Sequence, residues 1–391
     1  MQRTALVVSA FVALAACSSG GGDSQDTASP TSFEAATTEP AAPAPSAVES
    51  TVAPTTEPAT SAPPTTDAPE LVTVGEWQSI PAEDCVCSDG SPFELWERPA
   101  DPTKVVLYFE GGGACFSAET CGPASPIYTH SLTLGEEPGA SGIFDPTNPE
   151  NPLAEHSIVY VPYCTGDVHL GDRVNDYSDT VTINHNGFDN ASKGLETVIA
   201  DYPDVEQLVV AGSSAGSIPA PAFAGLAADG LPDTEIIVFG DASGAYPDVP
   251  ALNASVGAEW GVLENVPDWP GTAELTPEQW SFPGLYVQSG LQHPDITFAR
   301  FDNAFDGVQA FFSGVLGIDA SDLLSLIDAT EAEIEAAGVP VASYIAPGDS
   351  HTILGNDAFY ELEVEGVRLV DFLTTLVDGE VPADVRCVDC R

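Results

Sequence analysis

Basic residues are nearly missing from this chain: its 391 residues hold nine Lys and Arg against sixty Asp and Glu, a formal net charge of −51. A surface of that sign cannot neutralise phosphates, which excludes nucleic acid as a partner. It disfavours a strongly anionic substrate and suits a saline setting, where ions screen the self-repulsion. Long apolar runs are missing too. The stretch ALVVSAFVALAA (5–16) is too short to span a bilayer, and no later segment reaches eighteen apolar residues in a row.

What the N-terminus does contain reads as a secretory signal over residues 1–16, with Arg3 as its charged start. Leu14-Ala15-Ala16-Cys17 resembles a bacterial lipobox, so Cys17 is expected to carry lipid and to anchor the protein at the cell surface without spanning the membrane. Residues 17–70 are almost entirely Ser, Thr, Ala, Pro, Gly and acid, with no Lys or Arg. Such a segment buries too little apolar surface to offset its chain entropy, so a disordered tether is expected. Its end-to-end distance as a coil would be roughly 40 Å. Residues 71–391 can form one large domain. Of the nine bases only Arg3 precedes it, and of the sixty acids eight do, so the domain carries −44.

Seven cysteines follow Cys17, at 85, 87, 115, 121, 164, 387 and 390. An exported chain favours disulfides. Cys85-x-Cys87 and Cys387-x-x-Cys390 stand where they would staple the domain's two ends, with a four-thiolate zinc site as the competing reading. Cys115 and Cys121 are placed to pair locally, leaving Cys164 free.

Apolar, β-rich runs recur at 104–112, 157–164, 206–214, 234–243, 283–290 and 341–350. Helical patterns lie between them: 187–203, with Asn190 as cap and Leu195, Val198 and Ile199 on one face, then 215–228, 321–338 and 366–376. Continuous apolar strands alternating with helices predict an α/β fold with a mostly parallel sheet covered on both faces. Residues 244–282 form a loop-rich insertion. Its Trp260, Trp269 and Trp280 suit either a cover over a binding site or pins that hold a long loop to the core.

LVVAGSSAGS (208–217) places Gly212-x-Ser214-x-Gly216 between a strand and a helix, the pattern of a nucleophile elbow. Glycines let strand and helix close around a strained residue, so Ser214 projects at the sheet's C-terminal edge. Pro219 and Pro221 should make the helix start irregular. A serine needs a base. Only His293 and His351 follow it; both sit just past apolar runs, and position favours His351, in PGDSHTIL. His130, His156, His169 and His185 precede the elbow and read as bystanders. For the acid, Asp302 and Asp306 both fit, at a strand end followed by a helix. The glycine run Gly111–Gly113 and Ala215 can supply the backbone N–H groups that an oxyanion needs. A phosphate loop is excluded, since no Gly-Lys-Ser/Thr ending follows and Glu110 is an acid.

The stretches YFEGGGAC (108–115), VPYCTGDVHLG (161–171), AGSSAG (211–216), GDASGAY (240–246), AFDGVQ (304–309) and GDSHTIL (348–354), in that order, resemble the pectin acetylesterase/Notum-like esterases. The resemblance implies an α/β-hydrolase-type fold and a triad of Ser214, His351 and Asp306, with Gly112, Gly113 and Ala215 as oxyanion hole. Many relatives carry Trp after the first two glycines, where Gly113 and Ala114 stand here, so the acyl pocket should differ in shape. Asp241, in GDASGAY, is left without a role.

The expected function is an exported serine esterase that removes O-acyl groups, most readily O-acetyl, from an extracellular polysaccharide. No metal or organic cofactor is needed. Two alternatives stand beside it: an esterase for longer acyl chains, and a retired hydrolase fold that serves as a glycan-binding module.

Overall fold

The computed structural model describes residues 72–390. The signal, Cys17 and the linker to residue 70 lie outside the described residues. The chain opens with an antiparallel pair, β1 (Gln78–Val86) and β2 (Pro92–Arg98), followed by β3 (Asp101–Phe109) and β4 (His156–Val161). A side hairpin, β5 (Arg173–Ser178) and β6 (Val181–His185), precedes α1 (Gly187–Asp201) and β7 (Gln207–Ser213). Next come α2 (Ala220–Gly230), β8 (Glu235–Asp241), α3 (Pro250–Trp260), α4 (Phe282–Gln292) and β9 (Thr297–Asn303). The remainder runs α5 (Gly307–Val315), α6 (Leu323–Ala336), β10 (Val341–Ala346), α7 (Ala358–Glu361), the short pair β11 (Glu363–Val364) and β12 (Val367–Arg368), α8 (Leu369–Val377) and β13 (Val385–Arg386).

Nine strands make one sheet in the order β1-β2-β4-β3-β7-β8-β9-β10-β13. From β4 through β13 every pairing is parallel; the two involving β2 are antiparallel. Alternate residues of each strand serve opposite faces. Leu107, Leu208, Val210 and Val238 pack with Leu195 and Val198 of α1 and Phe223 of α2. Their neighbours Val106, Val209, Ile237 and Phe239 pack with Phe372 and Leu373 of α8. With helices on both sides the strands have no polar face, which is why they read as continuous apolar runs.

Several local expectations needed correction. Residues 282–292 are α4 rather than a strand. PGLYVQSG is short and apolar enough to read either way; Ser281 settles it by capping the first turn, accepting a hydrogen bond from the Gly284 N–H. Asn190 is no cap: α1 begins after Asn186, and Asn190 sits inside the helix with its amide donating to the Val86 carbonyl. Ile199 is exposed while Leu195 and Val198 are buried. The segment 244–282 holds α3 and two short 3-10 turns, so it is less loop-like than its composition suggests. Residues 214–216 form a 3-10 turn before α2, the irregular start that Pro219 and Pro221 imply.

The cysteines also pair differently. Cys387 bonds Cys390 and Cys87 bonds Cys164, so the domain's ends are not stapled to each other and Cys164 is not free. Those bonds also take three of the four sulfurs that the zinc reading required. Cys115–Cys121 forms locally, and Cys85 is the free, buried thiol. The Cys87–Cys164 bridge, 77 residues apart, ties the β1–β2 turn to the loop after β4. A closure of that length is worth about 4.5 kcal/mol in chain entropy.

Candidate active site

Because β3, β7, β8, β9 and β10 run parallel, their C-terminal ends meet at one edge, with Phe109 opposite Gly212 and Asn303 opposite Ala346. The residues just past those ends are the ones the sequence nominates. Ser214 follows β7 in the left-handed region at φ 55°, a strained turn that holds its side chain out from the edge. The flanking glycines are obligatory. A Cβ on Gly212 would lie 2.1 Å from the Gly216 carbonyl, and one on Gly216 would lie 2.1 Å from that of Phe109.

His351 stands 2.7 Å from Ser214: the hydroxyl donates to Nε2, while Nδ1–H donates to Asp306 Oδ2, also at 2.7 Å. Asp306 is fully buried and doubly fixed. Its Oδ1 caps α5 by accepting from the amides of Val308 and Gln309, and the Gln309 side chain donates to Oδ2. The acid and base loops are zipped together by backbone hydrogen bonds, Ala304 N–H to the Ala346 carbonyl and Phe305 N–H to that of Gly348. The C-terminal disulfide loop buttresses the same turn, where Gly348 N–H donates to the Cys390 carbonyl.

Asp302 lies near but does another job. Its Oδ1 accepts from Gly244 N–H and from Gln309, so it ties β9 to the loop after β8 and supports Asp306 through a shared glutamine. Burial pushes its carboxyl above the usual range. His293 is removed from this group, 2.9 Å from Asp229 with its ring against Trp269.

Of the oxyanion candidates, Gly113 has φ 79°, and a Cβ there would fall 1.9 Å from the Ile127 carbonyl, so only glycine fits. Gly111 packs so tightly on the elbow that its Cβ would come within 2.7 Å of that of Ser214. Among the described loop hydrogen bonds, none has Gly112, Gly113 or Ala215 as backbone donor.

One residue that the sequence left unassigned proves central to the scaffold. Asp241, at the end of β8, is fully buried and accepts from the Ser213 hydroxyl at 2.6 Å and from the amides of Ile353 and Leu354. Tyr108 in turn donates to Ser213. This chain runs beneath Ser214 from β3 to the His351 loop. Burial raises the Asp241 carboxyl to about 6 against the pull of those donors. The signal available was position alone, an acid directly after an apolar strand at the sheet's ligand-binding edge.

Ser214 separates two spaces. One is an apolar cavity of about 60 Å³, walled by Ala114, Phe116, Val168, Ile218, Trp260 and Trp280 among others. A water needs roughly 10–15 Å³ on that measure, so it holds about four water-sized groups. The other is an open cleft of about 580 Å³ that includes Glu110, Tyr128, Thr129, Ser141 and His351. Both readings of the tryptophans are met: Trp260 and Trp280 wall the cavity, and Trp269 is a buried pin whose indole donates to Asp229.

An α/β-hydrolase-type sheet with a serine, an imidazole and a carboxylate joined in this order is the arrangement of the serine carboxylic ester hydrolases. Within that class the chain belongs to the pectinacetylesterase family, whose model matches residues 68–267. It is 29% identical over 141 residues to palmitoleoyl-protein carboxylesterase notum2 of Xenopus laevis, an alignment covering 33% of this chain. The chain spans about a quarter (27%) of that relative's length. The solved Wnt deacylase Notum from Drosophila matches with a TM-score of 0.56 over 81% of this chain and 97% of its own, at 18% identity, a likeness of fold.

Proposed function

We propose that this protein hydrolyses O-acyl esters through an acyl-enzyme on Ser214, with the acyl group in the apolar cavity and the alcohol in the open cleft. The observation that carries this reading is the unbroken Ser214–His351–Asp306 hydrogen-bond chain at the boundary of the two spaces. Ser214 Oγ attacks the ester carbon while His351 Nε2 takes its proton, and the Asp306 carboxylate stabilises the imidazolium. The amides of Gly112, Gly113 and Ala215 receive the oxyanion. His351 then protonates the departing alcohol, which leaves through the cleft. Water enters by the same route, gives its proton to His351 and releases the acid.

The cavity's size supports a short acyl group, with O-acetyl the leading substrate. Its mostly apolar wall gives the second reading substance, since the space left beyond an acetyl admits a few more carbons. Nitrophenyl esters of increasing chain length separate the two. Activity that collapses beyond acetyl favours the first, and activity sustained through octanoyl establishes the second.

For the alcohol, a neutral extracellular glycan fits better than a polyuronate. The cleft includes Glu110 and runs on past Glu94, Glu136 and Glu137, with no Lys or Arg among its described lining residues. The protein acts at the cell surface, held by lipid on Cys17. Radiolabelled palmitate incorporated in wild type but also in Cys17→Ser would overturn the anchor.

The function itself is tested by treating the folded protein with a fluorophosphonate and mapping the modified residue, with Ser214→Ala as control. Modification of Ser214 is expected. A folded sample that binds glycan yet takes no label would leave only the binding-module reading.

A further inference from the structure

The four histidines ahead of the elbow have no place in the triad, but one of them touches the oxyanion loop. His169 lies in the turn after β4, where Val168 and His169 are both left-handed, at φ 51° and 58°. For a β-branched residue such as Val168 that conformation is a genuine outlier, kept only where its surroundings impose it. Here Tyr163 accepts a hydrogen bond from the Val168 amide, and the fully buried Asp167 accepts from the His169 amide, from Thr165 and from Gly187 N–H. The result drives the His169 ring between Phe109 and Tyr163, with Nε2 2.9 Å from the Glu110 carbonyl. A carbonyl only accepts, so Nε2 carries the hydrogen. Nδ1 is buried without a partner. Packing alone would be served by a phenyl ring; the hydrogen bond is what the imidazole adds.

The Glu110 carbonyl shares one planar peptide with the Gly111 nitrogen, at the root of the glycine run. That peptide is wedged against the elbow, where a Cβ on Gly216 would approach the Glu110 oxygen to 2.6 Å. Its plane fixes the start from which Gly111 turns the chain towards the next amides. We propose that His169 is a positioning residue for the oxyanion hole: its Nε2–H locks the Glu110–Gly111 peptide and so aims the amides of Gly112 and Gly113 at the developing oxyanion. The inference rests on the acyl-enzyme reading of Ser214, and the strained 165–169 turn is the device that delivers the ring.

The test compares His169→Phe, a ring without the donor, with His169→Gln, whose amide can replace it. In folded His169→Phe, kcat on a short nitrophenyl ester should fall about 10- to 100-fold with KM within about twofold, because the aim matters in the transition state. Affinity for phenylboronic acid, whose serine adduct places an oxygen in the same hole, should fall in parallel. His169→Gln should recover to within about fivefold of wild type. Unchanged kcat in the Phe variant, or equal losses in Phe and Gln variants, overturns the proposal. Should neither variant fold, nitrogen-15 NMR of the wild-type protein decides: an Nε2–H tautomer whose resonance moves on boronate binding supports it, and an Nδ1–H tautomer or a resonance that stays put overturns it. Fluorophosphonate labelling keeps the two failures apart. Label on Ser214 with an indifferent His169 sinks only this inference, whereas activity surviving Ser214→Ala sinks the function beneath it.

Discussion

The two spaces that meet at Ser214 are built on opposite principles. The cavity proposed for the acyl group is small and walled by Trp260, Trp280, Phe116 and Val168, the last of them in a left-handed turn. The cleft proposed for the alcohol is about ten times roomier and mixes hydroxyls, a carboxylate and backbone with open solvent. An ester has two halves with the same asymmetry. Burying an acyl chain gains free energy in proportion to the apolar area removed from water, so wall volume decides which acids are accepted. A sugar must exchange water for protein hydrogen bonds at little net gain, and the same opening must readmit the water that ends the cycle. Selectivity for the acid should therefore be steep, and selectivity for the alcohol shallow.

Changes at the boundary should abolish both halves of the behaviour together. Ser214→Ala is expected to lower kcat/KM by about 10⁴-fold or more on every ester, whatever its acyl or alcohol part. A substrate-dependent loss would mean that another group does the chemistry. Just below that in size comes Asp306→Asn. An amide there no longer selects the Nδ1–H tautomer of His351, which should cost about 10³- to 10⁴-fold in kcat. Asp302→Asn removes no contact to His351 and should act mainly on the melting temperature. Comparable kcat losses in the two would show that the shared Gln309 couples them more tightly than their hydrogen bonds indicate.

These boundary residues were the most legible part of the chain. The elbow pattern and the glycine run need particular residue types at fixed spacing, because a Cβ at Gly113, Gly212 or Gly216 collides with backbone. His351 followed from chain order. The choice between Asp302 and Asp306 did not follow from the residues, since both end the same strand; the motif resemblance favoured Asp306, and the α5 cap that turns its carboxylate is visible only in three dimensions. Asp241 and His169 escaped for a related reason. Each acts through backbone groups distant in sequence, Ile353 and Leu354 for one and Glu110 for the other, and backbone carries no signature. The parallel sheet was plain from its unbroken apolar strands, yet the same rule misread α4, whose short apolar run lacks a polar stripe. Among the disulfides the local Cys115–Cys121 bridge was legible from spacing, whereas Cys87–Cys164, 77 residues apart, left no local sign.

The cavity wall alone is probed by Ala114→Trp, which adds an indole beside the glycine run. Ala114 faces the cavity, so the indole should fill the space beyond an acetyl group. Activity on hexanoyl esters should fall about 100-fold while acetyl esters stay within about fivefold of wild type, a difference set by lost methylene burial and overpacking. If both chain lengths fall equally, the cavity is not where the acyl group sits. The contrast of closed wall with open cleft would then lose its functional meaning.

The smallest effect concerns stability, and it sharpens the contrast between a wall of buried neutral groups and a solvated cleft. Burial holds His169 neutral and lowers its pKa to about 4, against an ordinary 6.5. A base whose folded value is depressed contributes stability that is present above the unfolded pKa and lost as the pH falls from 6.5 towards 4. The unfolded chain takes up the proton first, because the folded ring has no acceptor for a second N–H at Nδ1. Between pH 8 and pH 5 this one group should remove about 2 kcal/mol of stability. His169→Gln cannot titrate, so its denaturation midpoint should drop less than that of wild type over the same interval. Parallel pH curves for the two proteins would mean that water reaches the ring, and that the turn between Tyr163 and His169 is looser than its hydrogen bonds imply.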